Sequence, residues 1–269
     1  QAAREYGVEI ILVGDEKIIK PVLEKQNTQG LNISVVDAPE ILSMEDKGEG
    51  LVLKARAKDA KNSMAVGMDL VKDGKADAFV TAGNKGAGMV TALFRLGRIR
   101  GVDRPALAPI FPTATGTCVV LDIGANPDCK PENLYQFGIL GSIYAEKVRG
   151  VKSPKVGLIS NGEEEGKGNE LVKAATPLFK ASSLNYFGNV EGKEVIGGKV
   201  DVAVTAVSPP RSADCWSSLP WARSNACSIR VNKAPLPCWA STGWSSSGMV
   251  ARTTSPSRTL SAWRNTRWT

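Results

Sequence analysis

The chain has 269 residues, a formal net charge of +7 and a hydrophobic content of 42%. It has no apolar run of about 18 residues, which argues against a transmembrane helix. It also has no histidine, so catalytic arrangements that depend on histidine are excluded, and any chemistry must rest on lysine, arginine, carboxylates, asparagine and backbone amides.

Short apolar runs alternate with helix-like stretches along residues 1–205. The predicted strands are Val8–Val13, Ile33–Val36, Ala78–Val80, Ala106–Phe111, Cys118–Leu121, Val156–Ile159 and Asp201–Val204. The predicted helices are Glu16–Gln26, Glu49–Lys72 with a break near Asn62 and Ser63, Gly88–Leu96, Pro131–Val148 and Glu170–Leu178. Such alternation predicts an α/β fold whose mostly parallel sheet is covered by helices on both faces.

The composition changes at Ala206. The residues before it carry 26 basic and 26 acidic side chains, whereas residues 206–269 contain seven arginines, one lysine and a single acid, Asp214. All six tryptophans also follow that point. The same residues contain no glutamate. No physical requirement links enrichment in tryptophan and arginine with the absence of glutamate, so we interpret the tail as the product of a shifted reading frame. A basic nucleic-acid-binding arm is the alternative.

The domain prediction follows from this change. Residues 1–205 are predicted to form one α/β domain, since their number suits a single substantial core. Residues 206–269 are predicted to be an aberrant tail without helix or strand, and not a native domain, because their hydrophobic pattern has neither the helical nor the strand period. Gln1 indicates that the natural start of the protein precedes this chain.

Three loops rich in glycine and asparagine each lie between a predicted strand and a helix-like stretch. They are loop 1 (Thr81–Ala87), loop 2 (Asp122–Asn126) and loop 3 (Asn161–Glu170). In open α/β sheets, ligands bind beyond the carboxyl ends of the strands, where helix N-termini attract anions. Glycine lets the backbone approach a ligand closely, and asparagine adds a neutral donor and acceptor. The three loops together predict a site for a phosphate-like group.

Each loop taken alone has a simpler interpretation as a turn followed by a helix cap. The glycine spacing also fits neither the Walker pattern nor the dinucleotide-binding fingerprint, so the loops do not indicate a nucleotide site. Repetition at equivalent positions of the predicted fold favours the phosphate site. Lys85 and Lys167 add positive charge to loops 1 and 3.

Four motifs carry a family resemblance, and they follow one another in the order 76–84, 122–131, 162–170 and 188–192. On these motifs, residues 1–205 resemble the bacterial phosphate acyltransferase family. The resemblance implies a three-layer α/β/α sandwich of isocitrate dehydrogenase-like outline, and a homodimer. It implies transfer of a fatty acyl group from acyl carrier protein to inorganic phosphate, which gives acyl phosphate for phospholipid synthesis. It further implies a cytoplasmic enzyme with peripheral association at the membrane, without a cofactor or a nucleic-acid partner.

The chain departs from the family pattern at three places. The family opens with a strand and an Asp-Ala-Met-Gly-Gly-Asp loop, which lie before the start of this chain. After Thr205 the family continues with Asp-Gly-Phe-Thr-Gly-Asn, whereas here Ala206-Val207-Ser208-Pro209 follows. Val-Ser-Pro can be written with codons that, read one base earlier behind a G, encode Gly-Phe-Thr, which supports a shifted frame. Lys85 stands where the family usually has threonine.

The site residues are predicted from the loops and the resemblance together. Lys167 and Asn169 are the predicted catalytic residues, because a cation and an amide can hold phosphate or the developing negative charge. The simpler alternatives are that Lys167 neutralises the negative charges of Glu163–Glu165 and that the asparagines only cap helices. With Cys118 and Cys129 as the only cysteines before residue 206, we predict no metal site. The predicted phosphate- and substrate-binding residues are Gly83, Asn84, Gly86, Asp122, Gly124, Asn126 and Gly168.

Acyl carrier protein is acidic, so its docking surface is predicted at the densest cationic stretch before the tail. The four arginines of this stretch are Arg95, Arg98, Arg100 and Arg104. They could instead only stabilise the helix dipole. Three alternatives to the implied function stay open: a phosphotransacetylase-like enzyme that uses coenzyme A thioesters, a non-functional fragment, and a nucleic-acid-binding protein that uses the basic tail.

Overall fold

The structure is a computed structural model, and it describes residues 2–43, 45–46, 48–57, 59–126, 128–205 and 248–252. These residues form two compact units. The first extends to Gly101 and includes residues 248–252, and the second begins at Val102. The sequence predicted one domain over residues 1–205, whereas two compact units lie within that range.

The first unit is built on a four-stranded sheet. Its strands, numbered along the chain, are β1 (Glu9–Gly14), β2 (Ile33–Asp37), β3 (Ala78–Thr81) and β9 (Gly248–Arg252). They lie in the order β2-β1-β9-β3, in which β1 and β2 are parallel and β9 is antiparallel to both β1 and β3. The helices are α1 (Ala2–Tyr6), α2 (Glu16–Glu24), α3 (Gly48–Arg56), α4 (Ser63–Lys72) and α5 (Lys85–Arg95).

Both faces of this sheet are apolar, because successive strand residues point to opposite faces. Val13 and Phe79 pack with Met68 of α4 on one face. Leu12 packs with Ile19 of α2 on the other. Each fully buried side chain of this size contributes about 1.5–3 kcal/mol. Helices therefore cover the sheet on both sides, as the alternation predicted.

The prediction that no strand follows residue 206 is wrong at residues 248–252. Their backbone pairs with both β1 and β3, for example Gly248 with Val13 and with Thr81. Buried backbone N–H and C=O groups require partners, and a strand in this position supplies them to β1 and β3 at once. Composition and periodicity do not reveal a strand whose position is determined by pairing with β1 and β3. The rest of the predicted tail lies outside the described residues.

The second unit contains a five-stranded sheet. Its strands are β4 (Ile110–Thr113), β5 (Gly116–Leu121), β6 (Val156–Ile159), β7 (Tyr186–Val190) and β8 (Val202–Val204). They lie in the order β4-β5-β8-β6-β7, in which β4 and β5 pair antiparallel and the other neighbours are parallel. The helices are α6 (Pro131–Arg149), α7 (Glu170–Lys180) and α8 (Gly192–Ile196).

This sheet too is covered on both faces. Leu121 packs against Phe137 of α6 and Phe179 of α7 on one side. Val120, its neighbour in the chain, points the other way and packs with Val195 of α8. Each unit is therefore a three-layer α/β/α arrangement, and the predicted α/β class with mostly parallel strands is confirmed. None of the described helices is long and apolar enough to cross a membrane.

The sequence located most of these elements to within a few residues, including the break before α4, where Asn62 caps the helix. The strand predicted at Ala106–Phe111 is displaced to β4. The first residues of the predicted strand do not pair with β5, because Leu107 donates its N–H to the Asp122 carboxylate. Strand β7 was missed because Gly188 and Asn189 interrupt its apolar pattern. Helices α1 and α8 were missed because each spans only five residues.

Candidate functional site

Loops 2 and 3 lie at the same edge of the second unit's sheet. Loop 2 follows β5 and loop 3 follows β6. Both of these strands pair in parallel with β8, which lies between them. The carboxyl ends of parallel strands meet at one edge, which is where ligands bind in such sheets. The structure thus brings two of the three predicted loops together, while loop 1 belongs to the first unit.

The centre of loop 2 is the carboxylate of Asp122, which is fully buried. Its Oδ1 accepts hydrogen bonds from the backbone N–H groups of Leu107 at 3.1 Å and Ala125 at 3.2 Å. Its Oδ2 accepts from the backbone N–H of Asn126 at 2.8 Å and from Asn126 Nδ2 at 2.9 Å. Four donors on one carboxylate leave little acceptor capacity for a ligand. Asp122 therefore shapes the loop from within.

Asn126 continues this internal network. It is 6% exposed, and its Nδ2 also donates to the carbonyl of Pro105 at 2.8 Å. Gly124 lies at the exposed tip, with φ of 90° and its N–H donated to the Asp122 carbonyl at 2.9 Å. A ligand at loop 2 would therefore meet the exposed residues Ile123 and Gly124. The buried Asp122 and Asn126 hold that backbone in place.

Loop 3 ends in the N-terminus of α7. Asn169 is the N-cap residue, and its Oδ1 accepts from the backbone N–H of Val172 at 2.9 Å. Asn161, at the start of the loop, accepts from the N–H of Gly168 at 3.0 Å through its Oδ1. The alternative that Asn169 caps the helix is thus present in the structure. Asn169 is itself exposed, and its predicted catalytic role stays a prediction. The N-terminus of α7 offers partial positive charge to an anion.

Lys167 is exposed, and the neighbouring carboxylates of Glu163 and Glu165 lie near other lysines. Glu165 pairs with Lys180, and Glu163 lies 3.9 Å from Lys193 and 4.0 Å from Lys199. Lys199 is also hydrogen-bonded to Glu194, which raises the pKa of the lysine and keeps it charged. Among the described residues, no ion pair joins Lys167 to a carboxylate. These contacts argue against a role of Lys167 in neutralising Glu163 and Glu165, and its ligand role stays a prediction.

Gly168 allows the sharp bend before α7. Its φ is +106°, and a Cβ there would lie 2.8 Å from Val172 Cγ1 and 3.1 Å from Ser160 Oγ. Gly168→Ala should therefore lower the free energy of unfolding by about 1–3 kcal/mol. Urea unfolding followed by circular dichroism measures the change. Gly166→Ala is the matched control, because a Cβ at that glycine of the same loop meets nothing within 4 Å. Equal stability of both variants would contradict the strain argument.

Loop 1 caps α5 in the first unit. Asn84 Oδ1 accepts from the N–H of Ala87 at 3.1 Å, and its Nδ2 donates to the carbonyls of Ser43 at 3.1 Å and Asp46 at 3.3 Å. Its amide group is therefore engaged by the protein on both sides. Gly83 packs closely, since a Cβ there would lie 2.9 Å from Met64 Cε. The exposed residues of the loop are Ala82 and, at the helix N-terminus, Lys85 and Gly86.

The four arginines of the predicted docking surface differ in exposure. Arg95 has a side chain only 11% exposed; it pairs with Asp69 at 3.0 Å and also donates to the carbonyl of Ala57. Arg95 is thus a structural residue of the first unit and is unsuited to docking. Arg98 and Arg100 are exposed in the first unit, and Arg104 is half-buried in the second.

The cysteines that the structure describes are unsuited to nucleophilic catalysis. Burial raises the pKa of the Cys118 thiol to about 12, assisted by the negative charge of Asp201. Burial also raises the pKa of Cys129, and Asp122 adds to the effect. A thiol must ionise to attack a thioester, so neither is ready to accept an acyl group at neutral pH.

Sequence reasoning missed the role of Asn189. It belongs to a motif that carried the family resemblance, yet no function was predicted for it. The structure places it at the end of β7, where Nδ2 donates to the carbonyls of Glu164 at 3.0 Å and Lys167 at 3.2 Å. The signal available in the sequence was a polar residue inside a short apolar strand next to a glycine.

The amino-acid sequence matches the family model described as "Fatty acid synthesis protein" over residues 1–207. Similar curated proteins are the phosphate acyltransferases of Geotalea daltonii, at 48% identity over 203 residues, and of Geobacter sulfurreducens, at 49%. In both comparisons the aligned region is 76% of this chain and 58% of the relative. The chain thus spans little more than half the length of these relatives.

Two solved structures are similar in fold at 17% sequence identity. The EutD phosphotransacetylase from Staphylococcus aureus gives a TM-score of 0.49 and covers 81% of this chain and 75% of its own. A branched-chain phosphotransacylase from Enterococcus faecalis gives 0.47 and covers 80% and 85%. The family model includes all three loops within its matched residues. The chain belongs to the fatty acid synthesis protein family, which is that of the bacterial phosphate acyltransferases.

Proposed function

We propose that the protein transfers a fatty acyl group from acyl carrier protein to inorganic phosphate, which gives acyl phosphate for phospholipid synthesis. The observation that carries the proposal is the 48–49% identity with phosphate acyltransferases across the segment that contains loops 1–3. The arrangement of loops 2 and 3 at one carboxyl edge supports it, because that edge suits an anionic substrate.

Phosphate is proposed to bind at loop 3. The N-terminus of α7 supplies backbone N–H groups, and Lys167 supplies a full positive charge in the same loop. Hydrogen bonds to charged groups contribute about 1.5–3 kcal/mol each, so two or three of them suffice for millimolar binding. Gly168 brings the backbone close enough for these contacts, and Asn169 presents its amide at the first turn.

The reaction requires little acid–base catalysis. A phosphate oxygen attacks the thioester carbonyl carbon, and the resulting tetrahedral intermediate carries a negative charge on the former carbonyl oxygen. The carbon–sulfur bond then breaks, the acyl–oxygen bond to phosphate remains, and the carrier leaves as a thiolate that takes a proton from water. Holding the two reactants in the reactive geometry lowers the activation free energy by up to about 7–11 kcal/mol. Lys167 and nearby amides stabilise the oxyanion.

Loops 1 and 2 are proposed to contribute backbone groups to substrate binding. In loop 2 these are the groups near Gly124, which Asp122 and Asn126 hold in place. In loop 1 they are the groups at Gly86, at the start of α5, while Gly83 and Asn84 hold the loop. The predicted residues thus divide into those that meet the ligand and those that shape the loops.

The function is tested by offering acyl carrier protein and coenzyme A thioesters separately, each with phosphate. We expect acyl phosphate from the carrier-protein substrate. Formation from coenzyme A thioesters alone would instead support a phosphotransacetylase-like activity. Failure of both substrates, together with salt-dependent binding of nucleic acid, would overturn the proposal.

The docking proposal is restricted to Arg98 and Arg100, which are exposed, because Arg95 is largely buried and pairs with Asp69, and Arg104 is half-buried. Acyl carrier protein is acidic, so exposed arginines speed its association, most strongly at low salt. Reversing both to glutamate should raise the KM for acyl carrier protein several-fold, by roughly 3–10 times at low salt, with phosphate KM changed by less than about twofold. Steady-state kinetics at two salt concentrations measures this effect.

A matched control is the reversal of Lys17 and Lys25 to glutamate. Both lysines are exposed in the first unit, and the change in net charge is the same. If both double variants raise the KM for acyl carrier protein equally, the effect is one of net charge and the docking surface lies elsewhere.

We further propose that the enzyme is a cytoplasmic homodimer that associates peripherally with the membrane where acyl phosphate is used. The family resemblance supports this proposal. Sedimentation velocity tests the dimer, and flotation with anionic lipid vesicles tests the association.

A further inference from the structure

The amide of Asn189 connects the end of β7 to the turn that carries Lys167. Its Nδ2 donates to the carbonyl of Glu164 at 3.0 Å and to that of Lys167 at 3.2 Å. The N–H of Lys167 also donates to the Glu164 carbonyl, at 2.9 Å. Both ends of this turn are therefore fixed by one side chain that lies more than twenty residues away in the sequence.

The orientation of this amide is determined by its partners. Only the NH2 group can donate to two carbonyl oxygens, so the Oδ1 atom must point away from them. Asn189 is 6% exposed, and its Oδ1 is buried without a hydrogen-bond partner among the residues that the structure describes. A buried acceptor without a partner destabilises the folded protein, because its desolvation is not compensated. Such groups are rare in native proteins and call for an explanation beyond packing.

We propose that Asn189 is a positioning residue for acyl transfer to phosphate, which holds the backbone of Lys167 so that its ammonium group faces the substrate. This inference rests on the proposed function. The side chain of Lys167 is exposed and makes no ion pair within the described part of the chain, so its backbone is what limits where the ammonium group lies. A misplacement of about 1 Å at such a group lowers the rate by as much as a hundredfold.

The first experiment measures the order of the turn in the 269-residue chain itself. Asn189→Leu keeps the volume of the side chain and removes both donors together with the buried acceptor. We expect trypsin to cleave after Lys167 at least about fivefold faster in this variant, because local opening governs proteolysis of an otherwise ordered loop. Asn185→Leu is the matched control, since Asn185 Nδ2 donates to the carbonyl of Ser153 at 2.9 Å away from the loop. Equal cleavage of the two variants and the wild type would overturn the positioning of the turn.

The second experiment tests whether Asn189 acts through Lys167. We expect Asn189→Leu to lower kcat/KM for phosphate by about tenfold when Lys167 is present, and by less than about twofold in a Lys167→Ala background. A residue that only stabilises the fold would lower activity by the same factor in both backgrounds. Equal factors would therefore overturn the proposal. Loss of all acyl phosphate formation in the wild type would instead overturn the proposed function, and the proteolysis result would still decide the role of Asn189 in the turn.

Discussion

Replacing Lys167 with alanine should lower kcat/KM for phosphate by about tenfold or more, while the fold stays intact. The ammonium group is exposed in loop 3 and makes no ion pair among the described residues, so its charge is available to phosphate or to the developing oxyanion. Its removal loses a charge-assisted hydrogen bond worth about 1.5–3 kcal/mol. Initial rates of acyl phosphate formation at varied phosphate concentration measure this loss.

Lys173→Ala provides the control for general charge effects. Lys173 is also a lysine of this region, but it lies on α7 and pairs with Glu170 at 3.2 Å. An exposed pair of this kind contributes less than about 1 kcal/mol, so we expect kinetics close to those of the wild type. Wild-type kinetics in Lys167→Ala would remove this lysine from the site.

The sequence predicted the positions of the loops because each loop is marked by local patterns. A buried apolar strand, a glycine-rich turn and a helix N-cap are all short-range features, as at Val156–Ile159 followed by Asn161 and Asn169. The structure confirmed the strand before each loop. That Asn169 caps α7 was one of two alternatives that the sequence left open.

The internal roles of the site residues could not be predicted from such patterns. Asp122 was predicted to bind substrate because it begins loop 2, yet its carboxylate faces N–H groups that include that of Leu107, fifteen residues earlier. Arg95 was grouped with its exposed neighbours, although it reaches Asp69 on another helix. Both contacts are long-range, and neither periodicity nor composition carries information about them.

The division of residues 1–205 into two units was also not predicted. The loop between α5 and β4 contains the densest cationic stretch before the tail, and this stretch was interpreted as a docking surface and not as a domain boundary, so the boundary at Gly101 was missed. Strand β9 was missed for another reason, because its pairing with β1 and β3 depends on the sheet and not on its own residues.

Asp122→Asn should lower the free energy of unfolding by about 2–5 kcal/mol, a larger effect on stability than any other substitution proposed for the site. The remaining oxygen can still accept from Leu107 and Ala125. The new NH2 group, however, faces the backbone N–H and the Nδ2 of Asn126, so donors oppose donors where the carboxylate accepted at 2.8 and 2.9 Å. Two buried N–H groups lose their acceptor, the backbone N–H of Asn126 and the Nδ2 hydrogen that is not bonded to Pro105, and each such loss costs about 1–3 kcal/mol.

Urea unfolding followed by circular dichroism distinguishes this structural role from direct substrate binding. Asp128→Asn is the matched control, because Asp128 is an exposed carboxylate just beyond loop 2, and its replacement should change stability by less than about 0.5 kcal/mol. A residue that bound substrate directly would behave in the opposite way. Its replacement would leave the unfolding curve of the free protein unchanged or shifted towards higher urea, and would weaken substrate binding alone. Unchanged stability in Asp122→Asn would therefore show that the carboxylate does not organise loop 2, and the predicted substrate-binding role would then explain this residue better.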